Sequence, residues 1–190
     1  MHDSIEHAQG ENVAKEIKMD KDADNFDIKK AAVCGLFCPA CTLHIGTKED
    51  PQRLEMLASV FKMPVEDLRC GGCRAETRSF YCRDVCHMYK CAAEKGIEFC
   101  GSCASYPCQE LKEFQCAMPH RIELWSSLDR IREVGPEVWY AEMLEHYACP
   151  SCGTINSAYD LKCRKCGNEP GNEYVKQHHE EIARQIGNIQ

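Results

Sequence analysis

Cysteine fills sixteen of the 190 positions, and no other feature narrows the possible folds as much. The N-terminus, Met1-His2-Asp3-Ser4-Ile5-Glu6, lacks the basic start and apolar stretch of a secretory signal. The expected setting is therefore a reducing cytoplasm, where thiols in such number bind metal instead of pairing as disulfides. No window approaches the roughly 18 consecutive apolar residues of a membrane-spanning helix, so no membrane partner is expected.

Charge sharpens this reading. The chain carries 23 basic and 30 acidic side chains, a formal net charge of −7. A four-cysteine site sets four thiolates against one divalent cation and adds roughly −2. Several filled sites would take the net charge well below its formal value, which disfavours nucleic acid and anionic membrane as partners.

Five regions follow from the patterning. Residues 1–30 form an acidic N-terminal tail around Asp20-Lys21-Asp22-Ala23-Asp24-Asn25, with few large apolar anchors and at most a short helix over 11–19. Residues 31–118 form the cysteine-rich metal-binding domain. Inside it, Asp50 and Pro51 open a helix over Pro51–Phe61 that places Leu54, Leu57 and Ala58 on one face, with Pro64 ending it. Further helices are expected over Asp84–Lys95, stopped by Gly96, and over Pro107–Phe114. Residues 119–147 hold a helical pair packed on that domain. Ile122, Trp125, Leu128, Ile131 and Val134 mark its first helix, Gly135-Pro136 the break, and Val138, Trp139, Met143, Leu144 and Tyr147 its second. Residues 148–170 read as a zinc ribbon and 171–190 as a C-terminal helix.

The C-terminal module carries the most specific motif. Cys149-Pro-Ser-Cys152 and Cys163-Arg-Lys-Cys166 are two C-x2-C knuckles joined by ten residues. Each can turn two sulfurs toward one ion, and Gly153 and Gly167 follow where the chain must bend back. Four thiolates in this pattern suit tetrahedral zinc.

At the other end, Cys34-Gly-Leu-Phe-Cys38-Pro-Ala-Cys41 has the C-x3-C-x2-C spacing of radical S-adenosylmethionine enzymes. Ala40 replaces the usual aromatic residue, no glycine-rich strand follows, and the chain is too short for the barrel such chemistry needs. A thiol-exchange role for Cys38-Pro-Ala-Cys41 lacks the βαβ context it requires. Downstream stand Cys70-Gly-Gly-Cys73, then Cys82, Cys86 and Cys91, then Cys100-Gly-Ser-Cys103 and Cys108. Of these Cys82 has the weakest claim to be a ligand, and Cys116 reads as an unligated core thiol. His87, His120 and His146 are weaker ligand candidates, and His178-His179 reads as surface. No serine–histidine–acid set, phosphate loop or carboxylate pair appears, so no catalytic residue is assigned.

The motifs Cys34-Gly-Leu-Phe-Cys-Pro-Ala-Cys41 and Cys70-Gly-Gly-Cys73, with the run from Cys91 through Cys100-Gly-Ser-Cys103 to Cys108-Gln-Glu-Leu111, resemble domain-of-unknown-function family 3795. That is a group of small cysteine-rich proteins common in anaerobic bacteria and archaea. The resemblance spans roughly residues 31–135, and the ribbon looks like an extension beyond it. The likeness implies metal binding without a defined activity.

The expected fold class is mainly α: a small, irregular, metal-stapled cysteine-rich domain with short helices, followed by a β zinc ribbon. The expected metal ligands are Cys34, Cys38, Cys41, Cys70, Cys73, Cys86, Cys91, Cys100, Cys103, Cys108, Cys149, Cys152, Cys163 and Cys166, with Cys82 as the doubtful addition. The expected function is non-catalytic binding of several zinc ions by a protein that acts through contacts with another protein. The alternative is an iron–sulfur protein, holding a four-iron cluster within 34–108 and serving electron transfer or an anaerobic enzyme. Spacing does not separate the two metals.

Overall fold

The computed structural model describes residues 26–115 and 118–187. The acidic tail up to residue 25, the short helix considered over 11–19, Cys116 and the last three residues lie outside the described residues.

Helix α1 (Thr42–Lys48) follows a one-turn 3-10 segment at Cys38–Ala40. Helix α2 spans Pro51–Phe61 as the sequence suggests. The Asp50 side chain accepts from the Arg53 amide at 3.2 Å, Pro51 sits in the first turn, and Leu54 and Ala58 are buried. The stop comes earlier than Pro64, at Lys62 in the left-handed region. A single turn, α3 (Val65–Leu68), follows.

The helix expected over Asp84–Lys95 is divided. Tyr81–Val85 forms a π turn, Cys86 is extended (φ −70°, ψ 107°), and only His87–Glu94 continues as α4. An extended Cys86 ends the i→i+4 ladder, because its own amide bonds back to the Tyr81 carbonyl at 2.8 Å. Helix α5 (Gln109–Gln115) buries Leu111.

The cysteine-free stretch forms α6 (Leu124–Val134) and α7 (Pro136–Tyr147), separated at Gly135. Arg130 of α6 holds Glu142 of α7 through contacts of 2.6–3.2 Å. The last helix, α8 (Glu173–Gly187), is capped by Asn172, whose Oδ1 accepts from the Val175 amide at 2.8 Å.

One principal core joins these pieces. It draws Phe37 from the first cysteine motif, Leu124, Leu128 and Ile131 from α6, Trp139, Tyr140 and Tyr147 from α7, and Tyr174, Val175 and Ile182 from α8. Phe37 packs against all three α7 aromatics, with ring centroids 5.1–6.1 Å apart, and Tyr147 stacks on Tyr174 at 5.1 Å. A smaller cluster of Leu54, Ala58 and Leu68 lies between α2 and α3. Among the described residues no helix is long and apolar enough to cross a membrane.

The expected β zinc ribbon is not formed. Among the described residues there is no strand or sheet, only isolated bridges at Ala31–Phe37 and Ala148–Ile155. The fold is helical, with turns where the ribbon was expected. The cause lies in the linker between the two knuckles. Asn156 Nδ2 donates to the carbonyls of Thr154 and Gly171, and Asn172 Nδ2 to those of Asn156 and Ser157. Ser157 donates through both its amide and its hydroxyl to Asp160. Beyond the Ala148–Ile155 bridge, side chains thus take the carbonyls of Asn156, Ser157 and Gly171 and the Ser157 amide, groups that a longer hairpin ladder would need.

Candidate metal centre

The two C-x2-C segments fold as the same turn. The Cys149 amide donates to Thr154 O at 2.8 Å and the Gly153 amide to Cys149 O at 2.9 Å. The Cys163 amide donates to Asn168 O at 2.8 Å and the Gly167 amide to Cys163 O at 2.9 Å. Gly153 (φ 71°) and Gly167 (φ 74°) hold the left-handed position that closes each turn.

Facing each other, the turns bring four sulfurs together. Cys149 Sγ lies 3.6 Å from Cys166 Sγ, and Cys152 Sγ lies 3.7 Å from Cys163 Sγ. All four sulfurs fall within 4.8 Å of one another. Cys149 and Cys163 are buried, while Cys152 and Cys166 are exposed. Burial works against a thiolate at Cys163, but amide donors from Cys166 and Lys165 and the Asn156 side chain outweigh it and pull the thiol down. Thr154 lowers Cys152 in the same way through its hydroxyl and amide. At Cys166 the Asn168 amide favours the thiolate, but the three neighbouring sulfurs win and push it up. Four soft donors converging like this can hold one metal ion.

Upstream, Cys34, Cys38, Cys70, Cys73 and Cys86 are buried, Cys41 is exposed, and Cys82, Cys91, Cys100, Cys103 and Cys108 are half-buried. Their mutual influence overlaps, with Cys73 felt by both Cys34 and Cys38, and Cys86 by both Cys34 and Cys100. Cys34 lies within electrostatic reach of Cys73 and Cys86. Cys38 lies within electrostatic reach of Cys73, Cys41 and Cys70, and Cys82 within that of Cys70, Cys41 and Cys73. Cys91, Cys100, Cys103 and Cys108 line one pocket between α4 and α5. Burial first, and the nearest thiol second, push Cys34 and Cys38 well up and Cys100 to about 12. Cys103 departs from this trend: the Ser105 amide and the Lys95 ammonium, each 3.4 Å from its sulfur, draw it down. Among the described residues, no group of three or more potential ligands other than Cys149, Cys152, Cys163 and Cys166 gathers within 4.8 Å.

His120, His146 and His178 are engaged elsewhere. His120 Nδ1 is 2.7 Å from the Tyr159 hydroxyl, and burial takes its pKa down to about 3. His146 and His178 both bond Glu123 Oε1, at 3.0 and 2.6 Å, and His87 is exposed. His178 is thus no free surface group, although His179 is exposed. Sequence reasoning also passed over Lys95, which the i, i+4 spacing from Cys91 on one helix could have indicated. It passed over Asn156, which no local pattern marks, and His44, which is buried with Nδ1 lacking a partner among the described residues.

Residues 30–113 match the family described as Protein of unknown function (DUF3795). The likeness is confined to this stretch. The DUF3795 segment contains every cysteine from Cys34 to Cys108. It ends short of residue 135, so α6 and α7 lie outside it, as do Cys149, Cys152, Cys163 and Cys166. No curated protein and no solved structure shows a significant match to the chain.

Proposed function

We propose that this is a non-catalytic metal-binding protein whose Cys149, Cys152, Cys163 and Cys166 hold one zinc ion, and that it works through contact with another protein. The sulfur separations support a single four-coordinate ion, and the two-knuckle, all-thiolate ligand set favours zinc as that ion. A tetrahedral ion with Zn–S bonds of about 2.3 Å requires sulfur pairs about 3.8 Å apart, and the two pairs stand at 3.6 and 3.7 Å. Four thiolates leave no open coordination position for substrate, which fits a structural role. The cysteines of the DUF3795 segment act as further metal ligands in this reading, and their thiol state suits a reducing cytoplasm.

The contact surface is on α2. Met56, Val60 and Phe61 are 58%, 66% and 54% exposed, a cluster of large apolar side chains on one short helix. Zinc measurement on the purified full chain tests the first half. About one equivalent should disappear in the Cys152→Ser, Cys166→Ser variant, whose substitutions fall on exposed positions. Affinity capture tests the second half: Met56→Ser, Val60→Ser and Phe61→Ser together should release the partner and leave the metal. Full zinc in the first variant, or undiminished capture with the second, defeats the corresponding half.

A further inference from the structure

The pocket lined by Cys91, Cys100, Cys103 and Cys108 differs in kind from the C-terminal site. Both present four cysteines, yet only the C-terminal set is drawn together to the spacing of a single ion. A four-iron cluster interposes irons and sulfides between its thiolates, so its ligands must stand farther apart than those of one ion. We propose that Cys91, Cys100, Cys103 and Cys108 bind a four-iron, four-sulfide cluster, at a site independent of the zinc site.

Three observations support this. The ligands come from separate pieces of chain: Cys91 from α4, Cys100 and Cys103 from the 3-10 turn at Cys100–Ser102 and its end, and Cys108 from just before α5. That spread suits a wide ligand set better than two facing knuckles. The pocket floor is apolar, with Met88 and Leu111 buried, which shields a cluster from water. Lys95 and the Ser105 amide donate to Cys103 Sγ, each at 3.4 Å. Four thiolates leave an oxidised cluster net negative, and donors to sulfur offset that charge and raise the reduction potential.

The test uses the full chain purified without oxygen and reconstituted with equal amounts of ferric and ferrous iron and with sulfide, which together supply the oxidation level of the cluster. Iron, acid-labile sulfide and zinc are counted per chain, and the visible spectrum is recorded. The Cys103→Ser, Cys108→Ser variant should lose about four irons and about four sulfides relative to the parent chain, while zinc at the C-terminal site stays. The Cys152→Ser, Cys166→Ser variant should show the reverse, so failure of the zinc reading and failure of this one are told apart. If the first pair of substitutions prevents folding, Lys95→Gln decides: its cluster should form with a more negative midpoint potential. A parent chain that takes zinc without sulfide, a Cys103/Cys108 variant that keeps all its iron, or an unchanged potential in Lys95→Gln overturns the assignment.

Discussion

Arg53 and Asp160, 107 positions apart, meet in a bidentate pair. Arg53 Nη2 lies 2.9 Å from Asp160 Oδ1 and Nη1 lies 3.1 Å from Oδ2, with both side chains nearly shielded from solvent. The pair fastens α2 to the linker between the two C-terminal knuckles, and Arg164 reinforces it by bonding Glu49 beside α2. Arg53 also bonds Asp50, so one guanidinium joins a helix cap to the metal module.

Arg53→Ala should therefore destabilise the fold by about 2 kcal/mol, seen as a lower midpoint in urea. Asp160→Ala should cost more, because Asp160 also accepts from the amide and hydroxyl of Ser157. Additive losses in the double variant would show that the two side chains do not interact.

Asn156 is fully buried and serves three backbone groups: its amide donates to Thr154 O and Gly171 O, and its oxygen accepts from the Arg164 amide. Asn156→Ala leaves Gly171 O and the Arg164 amide unpaired and Thr154 O with the Cys149 amide alone, and should cost about 3 kcal/mol. Zinc affinity should fall with it, since the linker sets how the knuckles face each other. Competition with a chelator of known affinity measures this, and an unchanged affinity would count against the role.

Acid should unfold the protein partly through Glu123. Burial raises its pKa, but hydrogen bonds and charge from His146 and His178 prevail and hold the carboxyl below its ordinary value. A carboxyl lowered by folding adds stability at pH above its unfolded pKa, and that contribution is lost as pH falls through the folded one. Glu123→Gln should thus be less stable than the parent near neutrality, and the difference should close as the medium is acidified. Urea midpoints measured at descending pH give the comparison, and a constant difference would contradict it.

Removing metal from the C-terminal site should loosen α8 at its start. Asn172, which caps that helix, donates to the carbonyls of Asn156 and Ser157 in the knuckle linker. Hydrogen exchange should quicken at the amides of the first turn of α8 before it does in α6. Equal protection with and without metal would break this link.

What could be read from the sequence was local. Asp50 and Pro51 marked the start of α2, Gly135-Pro136 separated α6 from α7, and the C-x2-C pairs marked the four cysteines that can hold a metal ion, because each signal spans a few residues. The missing ribbon was illegible for a different reason. Whether Thr154 to Lys162 forms a ladder depends on the Asn172 side chain, 15 and 16 positions from the carbonyls it takes. His178 read as surface because Glu123, its partner, lies 55 positions away. The grouping of the upstream thiols is likewise decided by how α4, α5 and the intervening turns pack.

Phe37 belongs to the DUF3795 segment, yet the rings that cover it, Trp139, Tyr140 and Tyr147, all come from α7, beyond the end of that segment. The stretch that matches the family is therefore not the stretch that can bury its own apolar surface. Cut at residue 113, it would expose a large ring beside Cys38 to water. In this chain the roof over Phe37 is therefore set by residues 136–147, and the segment and that helix stand or fall as one body.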